Sequence, residues 1–84
     1  MYRVTVQILP KEGVFDPQGQ TVKGALEKLG FEGVESVRMG KLIELVLDVK
    51  GEQEAKVRAI SMCEKLLANP VVESYKILNV EEIS

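Results

Sequence analysis

Apolar and polar residues alternate at the start of the chain. Tyr2, Val4, Val6 and Ile8 fall on one side, and Arg3, Thr5 and Gln7 on the other. This period of two predicts a half-buried strand over 2–9, ended by Pro10, which has no N–H for a sheet ladder. The pattern then becomes helical, with Val22, Ala25, Leu26 and Leu29 recurring at i, i+3, i+4 and i+7. Asp16 suits the N-cap, Pro17 the first helical position, and Gly30 the left-handed position just past the end. Residues 34–39 read as a second strand and Gly40-Lys41 as a tight turn. Residues 42–49 form the clearest strand, with Ile43, Leu45, Leu47 and Val49 on one face and Leu42, Glu44, Val46 and Asp48 on the other. A helix is predicted over about 52–68, its inner side formed by Ala55, Ala59, Met62, Cys63 and Leu66, and Asn69-Pro70 stops it. Residues 71–80 read as the last strand, with 81–84 a frayed tail.

The predicted order is strand, helix, strand, strand, helix, strand. That βαββαβ order, ferredoxin-like in sequence, implies an α+β fold. It is expected to be a two-layer sandwich, a four-stranded antiparallel sheet with both helices on one face, in a single domain over 1–84. Such a sheet leaves its other face uncovered, and an uncovered face should read polar. Here it carries Leu42 and Val46, and the last strand is apolar on both sides, with Val71, Tyr75 and Ile77 against Val72, Leu78 and Val80. Leu42, Val46 and Leu78 are therefore expected to pack on a second surface, in a homodimer or tetramer.

Composition narrows the partners. The chain has 84 residues, too few for two cores, and is 45% hydrophobic and 29% charged, as globular domains are. A net charge of −2, from 11 basic and 13 acidic residues, gives no electrostatic drive towards nucleic acid or an anionic membrane. No apolar run approaches the roughly 18 residues that span a bilayer. A lone cysteine, Cys63, and no recognisable leader point to a reducing, cytoplasmic setting.

The chain lacks the residue sets that catalysis or metal binding requires. Histidine is absent, which removes the commonest general base and the commonest metal ligand. One cysteine without histidine makes no zinc site, and Cys63 lies on the apolar stripe of its helix, where a core thiol is expected. Glu44 and Asp48 share a strand face but stand about 13 to 14 Å apart at about 3.4 Å per residue. Paired catalytic carboxylates sit within about 10 Å. A phosphate loop ending in Gly40-Lys41 needs a glycine where Glu35 stands and a serine or threonine where Leu42 stands. Base stacking on the sheet, as in RNA-recognition domains, needs aromatics on the first and third strands. Tyr2 is the only one there. No catalytic, cofactor-binding or metal-binding residue is predicted.

Several segments together are similar to a known family. Tyr2-Arg3-Val4-Thr5-Val6 opens the chain, and Asp16-Pro17-Gln18-Gly19 starts the first helix. Val37-Arg38-Met39-Gly40-Lys41 leads into Ile43-Glu44-Leu45. Met62-Cys63-Glu64-Lys65-Leu66-Leu67-Ala68-Asn69-Pro70 closes the second helix before Val72-Glu73-Ser74-Tyr75. In this order and spacing the chain resembles, over nearly its whole length, the PurS family of formylglycinamidine ribonucleotide synthetase subunits. The resemblance implies a small accessory subunit that joins a glutaminase subunit (PurQ) and a large synthetase subunit (PurL) and assists transfer of ammonia between them. It implies no cofactor on this chain, ATP and Mg being used by the synthetase. Within it, Arg38 and Lys41 beside a turn suit an acidic partner surface, and Asp16 and Gln18 at the helix start suit similar contacts. The alternatives are a small-molecule-sensing regulatory domain with the same strand order and a stand-alone dimeric enzyme.

Overall fold

A computed structural model describes all 84 residues. Its elements are β1 (Tyr2–Pro10), α1 (Pro17–Lys28), β2 (Lys41–Leu47), α2 (Glu52–Met62) and β3 (Glu73–Glu82). A π turn, Cys63–Leu67, extends α2. The α+β class and the two helices match expectation. The sheet is three-stranded, not four-stranded, with order β2-β1-β3 and both pairings antiparallel.

Residues 34–39, expected as the second strand, pair with no neighbour. They instead run past the start of α1 and the end of β1. The Met39 amide donates to Asp16 Oδ2 at 2.8 Å, and Arg38 Nη1 donates to the Pro10 carbonyl at 2.9 Å. Gly40 is consequently not a hairpin turn. A Cβ there would strike the Ile8 carbonyl, so glycine is required by close backbone approach. These two contacts fix the end of the segment against α1 and β1, and it joins no ladder.

Val4, Val6 and Ile8 of the central strand are fully buried; in the register with β2, Tyr2 faces Leu47, Val4 faces Leu45 and Val6 faces Ile43. Ala55, Ala59 and Cys63 bring α2 close over this face, with Val49 and Ala68 closing the core. Small residues on the helix let its backbone approach the β-branched carpet of β1. The π turn closes with the Ala68 amide on the Cys63 carbonyl at 3.0 Å, and both residues are buried.

Two details of β3 differ from expectation. The strand begins at Glu73, and its end is not frayed. Glu81 and Glu82 pair with Arg3 and Tyr2, the Ile83 amide donates to the Met1 carbonyl at 2.9 Å, and the N-terminal ammonium reaches the Ser84 carbonyl at 2.7 Å. A bulge also falls where Thr5 faces Asn79 and Val6 faces Ile77. The extra residue is Leu78. It shifts the alternation by one, so Tyr75, Ile77 and Val80 all reach the core side. The apparent two-sidedness of β3 is therefore largely a phase change, and Val80 is a core neighbour rather than an open-face residue.

The second helix packs on the sheet; the first does not share that face. Contact of α1 with any other element is marginal. Its start is tied at Asp16 and Gly19, where a Cβ would strike the Val37 carbonyl, and its body projects. The molecule is accordingly long and thin, 50 × 27 × 14 Å, with a radius of gyration of 16.2 Å. A compact chain of 84 residues has about 12 Å. No helix is long and apolar enough to cross a membrane.

Candidate functional site

Folding brings two of the sequence segments together at one junction. Asp16 occupies the N-cap of α1, but its carboxylate is turned to the Met39 amide. That hydrogen bond, helped by the amides of Gly19 and Gln18, holds the Asp16 carboxyl below the usual carboxylate range. Gln18 stands exposed one residue into the helix. Arg38 is bound to the Pro10 carbonyl, so part of its guanidinium is already occupied in joining the crossing segment to β1. Lys41 opens β2, with Nζ 3.9 Å from Glu73 Oε2. A loose, exposed pair of this kind contributes about 1 kcal/mol at most and leaves the ammonium free for other contacts. Asp16, Arg38 and the Met39–Lys41 stretch thus form a locked joint, with Gln18 and Lys41 at its surface.

The apolar residues expected on the open face separate into two places. Leu42 and Val46 stand on one face of β2, 65% and 54% exposed, with Glu44 between them. Leu78 is at the bulge on β3, the opposite edge of the sheet. Near this side Arg3 pairs with Glu81 at 2.8 Å across β1 and β3.

The third segment, around Cys63, builds a groove of about 510 Å³ between the π turn and β3, lined by Lys11, Cys63, Glu64, Pro70, Glu73 and Tyr75. Its polar groups are largely spoken for. Lys11 Nζ donates to the Pro70 carbonyl at 2.7 Å, and Glu73 Oε1 accepts from the Asn69 amide at 2.7 Å. Desolvation, with a contribution from the Glu64 carboxylate, raises both the Cys63 thiol and the Tyr75 hydroxyl above their ordinary values. Cys63 is therefore a neutral core thiol at physiological pH, without thiolate reactivity.

A further surface escaped the sequence reading. Leu29, the last residue of the apolar stripe of α1, is 74% exposed, and Phe15 and Phe31 beyond the two ends of the helix are also exposed. The helix ends as expected at Gly30, which takes φ +93°. The Gly30 amide bonds the Glu27 carbonyl and the Phe31 amide bonds the Leu26 carbonyl, a paired closure of the final turn. An amphipathic stripe predicts burial but not against which molecule. The usable signal was the two phenylalanines flanking a helix already supplied with its own stripe.

Comparison with known proteins supplies the context for these surfaces. The chain matches the family model described as PurS, phosphoribosylformylglycinamidine (FGAM) synthase, over residues 3–81. It is 43% identical over 83 residues to the phosphoribosylformylglycinamidine synthase subunit PurS of Methanocaldococcus jannaschii, covering 99% of each chain. The crystal structure of that PurS superposes with a TM-score of 0.85 over the whole of both chains. The Bacillus subtilis PurS subunit is 45% identical over 83 residues, covering 99% of this chain and 96% of that one. A chain of the Thermotoga maritima PurLQS structure is 32% identical, with a TM-score of 0.82, over 98% of this chain and 96% of that one. With sequence, fold and length all in agreement, the chain belongs to the PurS family of FGAM synthase subunits.

Proposed function

We propose that this chain is a non-catalytic accessory subunit of phosphoribosylformylglycinamidine synthase in de novo purine biosynthesis, bridging a glutaminase and a synthetase subunit so that ammonia passes between them. The observation that carries this reading is the surface left over after folding. The chain exposes 6111 Å², whereas a compact monomer of this mass exposes about 5,000 Å². The excess, roughly 1,100 Å², is larger than the about 800 Å² that one partner contributes to a standard interface. Exposed apolar side chains include Leu42 and Val46 on β2 and Phe15, Leu29 and Phe31 at the two ends of α1. A domain shaped this way gains by being covered, and the kinship with a chain of PurLQS supplies the partners, PurL and PurQ.

Within this reading Leu42 and Val46 cover one another across a two-fold axis in a homodimer or tetramer, and Leu78 adds to a second edge. Gln18, Lys41 and the free part of Arg38 meet a partner subunit, while Asp16 keeps the joint in shape. ATP and Mg²⁺ belong to the synthetase, and the work takes place in the cytoplasm. The contribution of this chain is positional: it holds an ammonia source against an acceptor site, which replaces a diffusive encounter by a local one.

Reconstitution tests this. With the glutaminase and synthetase subunits present, omitting the chain is expected to abolish most glutamine-dependent synthesis and to leave synthesis from free ammonium nearly intact. Equal loss of both would assign the chain a role in the synthetase chemistry itself and defeat the bridging role.

A further inference from the structure

We propose that the tip of the α1 arm is a docking knob for a non-identical subunit, one that presents an apolar socket rimmed by lysine and arginine. The proposal rests on reading the chain as an FGAM synthase subunit. It adds which surface meets the different partner and what chemistry that partner carries.

The knob is Leu29 and Phe31, 74% and 58% exposed, at the far end of the projecting helix. Twelve helical residues place it about 18 Å from the joint at about 1.5 Å per residue. Both residues sit on the turn closed by the paired hydrogen bonds from Gly30 and Phe31, and the chain leaves through Gly33 at φ +83°. Phe31 is thus presented from a fixed backbone, and little ordering remains to oppose its insertion into a pocket. A shallow groove of about 460 Å³ lies beside it, between the helix end and the returning segment.

Charge decides what kind of partner fits. Glu27, Glu32 and Glu35 surround this groove, Lys28 is the only cation from 27 to 35, and none of the three glutamates forms an ion pair. A two-fold contact centred on the tip would set this acidic ring against itself, because residues on the axis meet their own copies. Like-charge juxtaposition across an interface is strongly unfavourable. The open sheet face differs, because it carries both signs, with Arg3 paired to Glu81 and Glu44 beside Leu42 and Val46. That face suits a second copy, and the tip suits a basic, apolar socket on another protein. Aromatic residues in desolvated pockets, rimmed by complementary charge, are the usual centres of such interfaces.

The test uses the full chain with both large subunits. Two variants are compared with the parent: Phe31→Ala, and the pair Glu32→Lys with Glu35→Lys. All these positions are exposed, so circular dichroism and sedimentation of the free chain should be unchanged. Each variant is expected to weaken assembly with the large subunits at least about tenfold. The gap between the charge-reversed variant and the parent should narrow as salt screens the rim. Less than a twofold change in assembly for both variants overturns the proposal. So does a change in the self-association of the free chain, which would make the tip a copy-to-copy contact. Failure of the unaltered chain to assemble with the large subunits overturns the subunit reading itself, and this proposal with it. Assembly that ignores the tip variants overturns the proposal alone.

Discussion

The sheet with α2 and the arm built on α1 come from the same chain and have similar apolar patterning, yet they have opposite relations to water. Nine residues are buried. Eight of them, from Val4 to Ala68, form the core of sheet and α2, and the ninth is Gly19 at the root of the arm. Val22, Ala25, Leu26 and Leu29 make as regular a stripe as Ala55, Ala59 and Cys63, but only the second lies on β1 and β3. The difference shows that amphipathicity specifies a face to be covered, while connection geometry specifies what covers it. In the first half of the chain the long return through 29–40 fastens the helix by its start and leaves its body outside.

The sharpest way to break this comparison is to remove equal apolar volume from the two regions. Ile8→Ala, in the core, is expected to cost about 3 kcal/mol in urea unfolding. Leu29→Ala, in the arm, should change the stability of the free chain by less than about 0.5 kcal/mol. Comparable losses would show that the arm shares the core after all.

The joint between the regions comes next in size. Gly19→Ala places a Cβ against the Val37 carbonyl, backbone that has no easy way to move. A cost of about 2 kcal/mol is expected. It should appear as lost amide-exchange protection at Met39, with β1 and α2 amides unaffected.

Leu42→Lys together with Val46→Lys addresses the open face. Both positions are exposed in the single chain, so its folding should be preserved. Self-association by sedimentation is expected to weaken at least about tenfold, or about 1.4 kcal/mol. An unchanged species distribution would remove β2 from the contact between copies.

The smallest effect is one of pH. The Asp16 carboxyl is held below its ordinary value chiefly by the Met39 amide. A folded-state pKa below the unfolded one adds stability above the unfolded value, about 3.9, and that stability is lost as pH falls through the folded value. Exchange protection of the Met39 amide should therefore decay below about pH 4 in the parent. In Asp16→Asn it should be flat across that range, and a parallel decay in both would place the acid-sensitive group elsewhere.

Sequence alone determined the strands around Val4–Ile8 and Ile43–Leu47, the two helices, the Gly30 stop, the core position of Cys63 and the family. These are local or periodic properties: alternation, a helical stripe, a left-handed glycine, a buried small residue. Only the tertiary structure decided three things. Residues 34–39 are a strap rather than a strand, held to the start of α1 by the Met39 amide on Asp16 and to the end of β1 by the Arg38 side chain on the Pro10 carbonyl. Val80 belongs to the core, because a bulge at Leu78 reverses the alternation; Asn79 inside an apolar strand was the one local hint. The first helix stands away from the sheet, its root fastened at Gly19 to Val37 of the crossing segment, which is itself held at Gly40 against Ile8 of β1. Each depends on which distant backbone atoms meet, and residue periodicity carries no information about that.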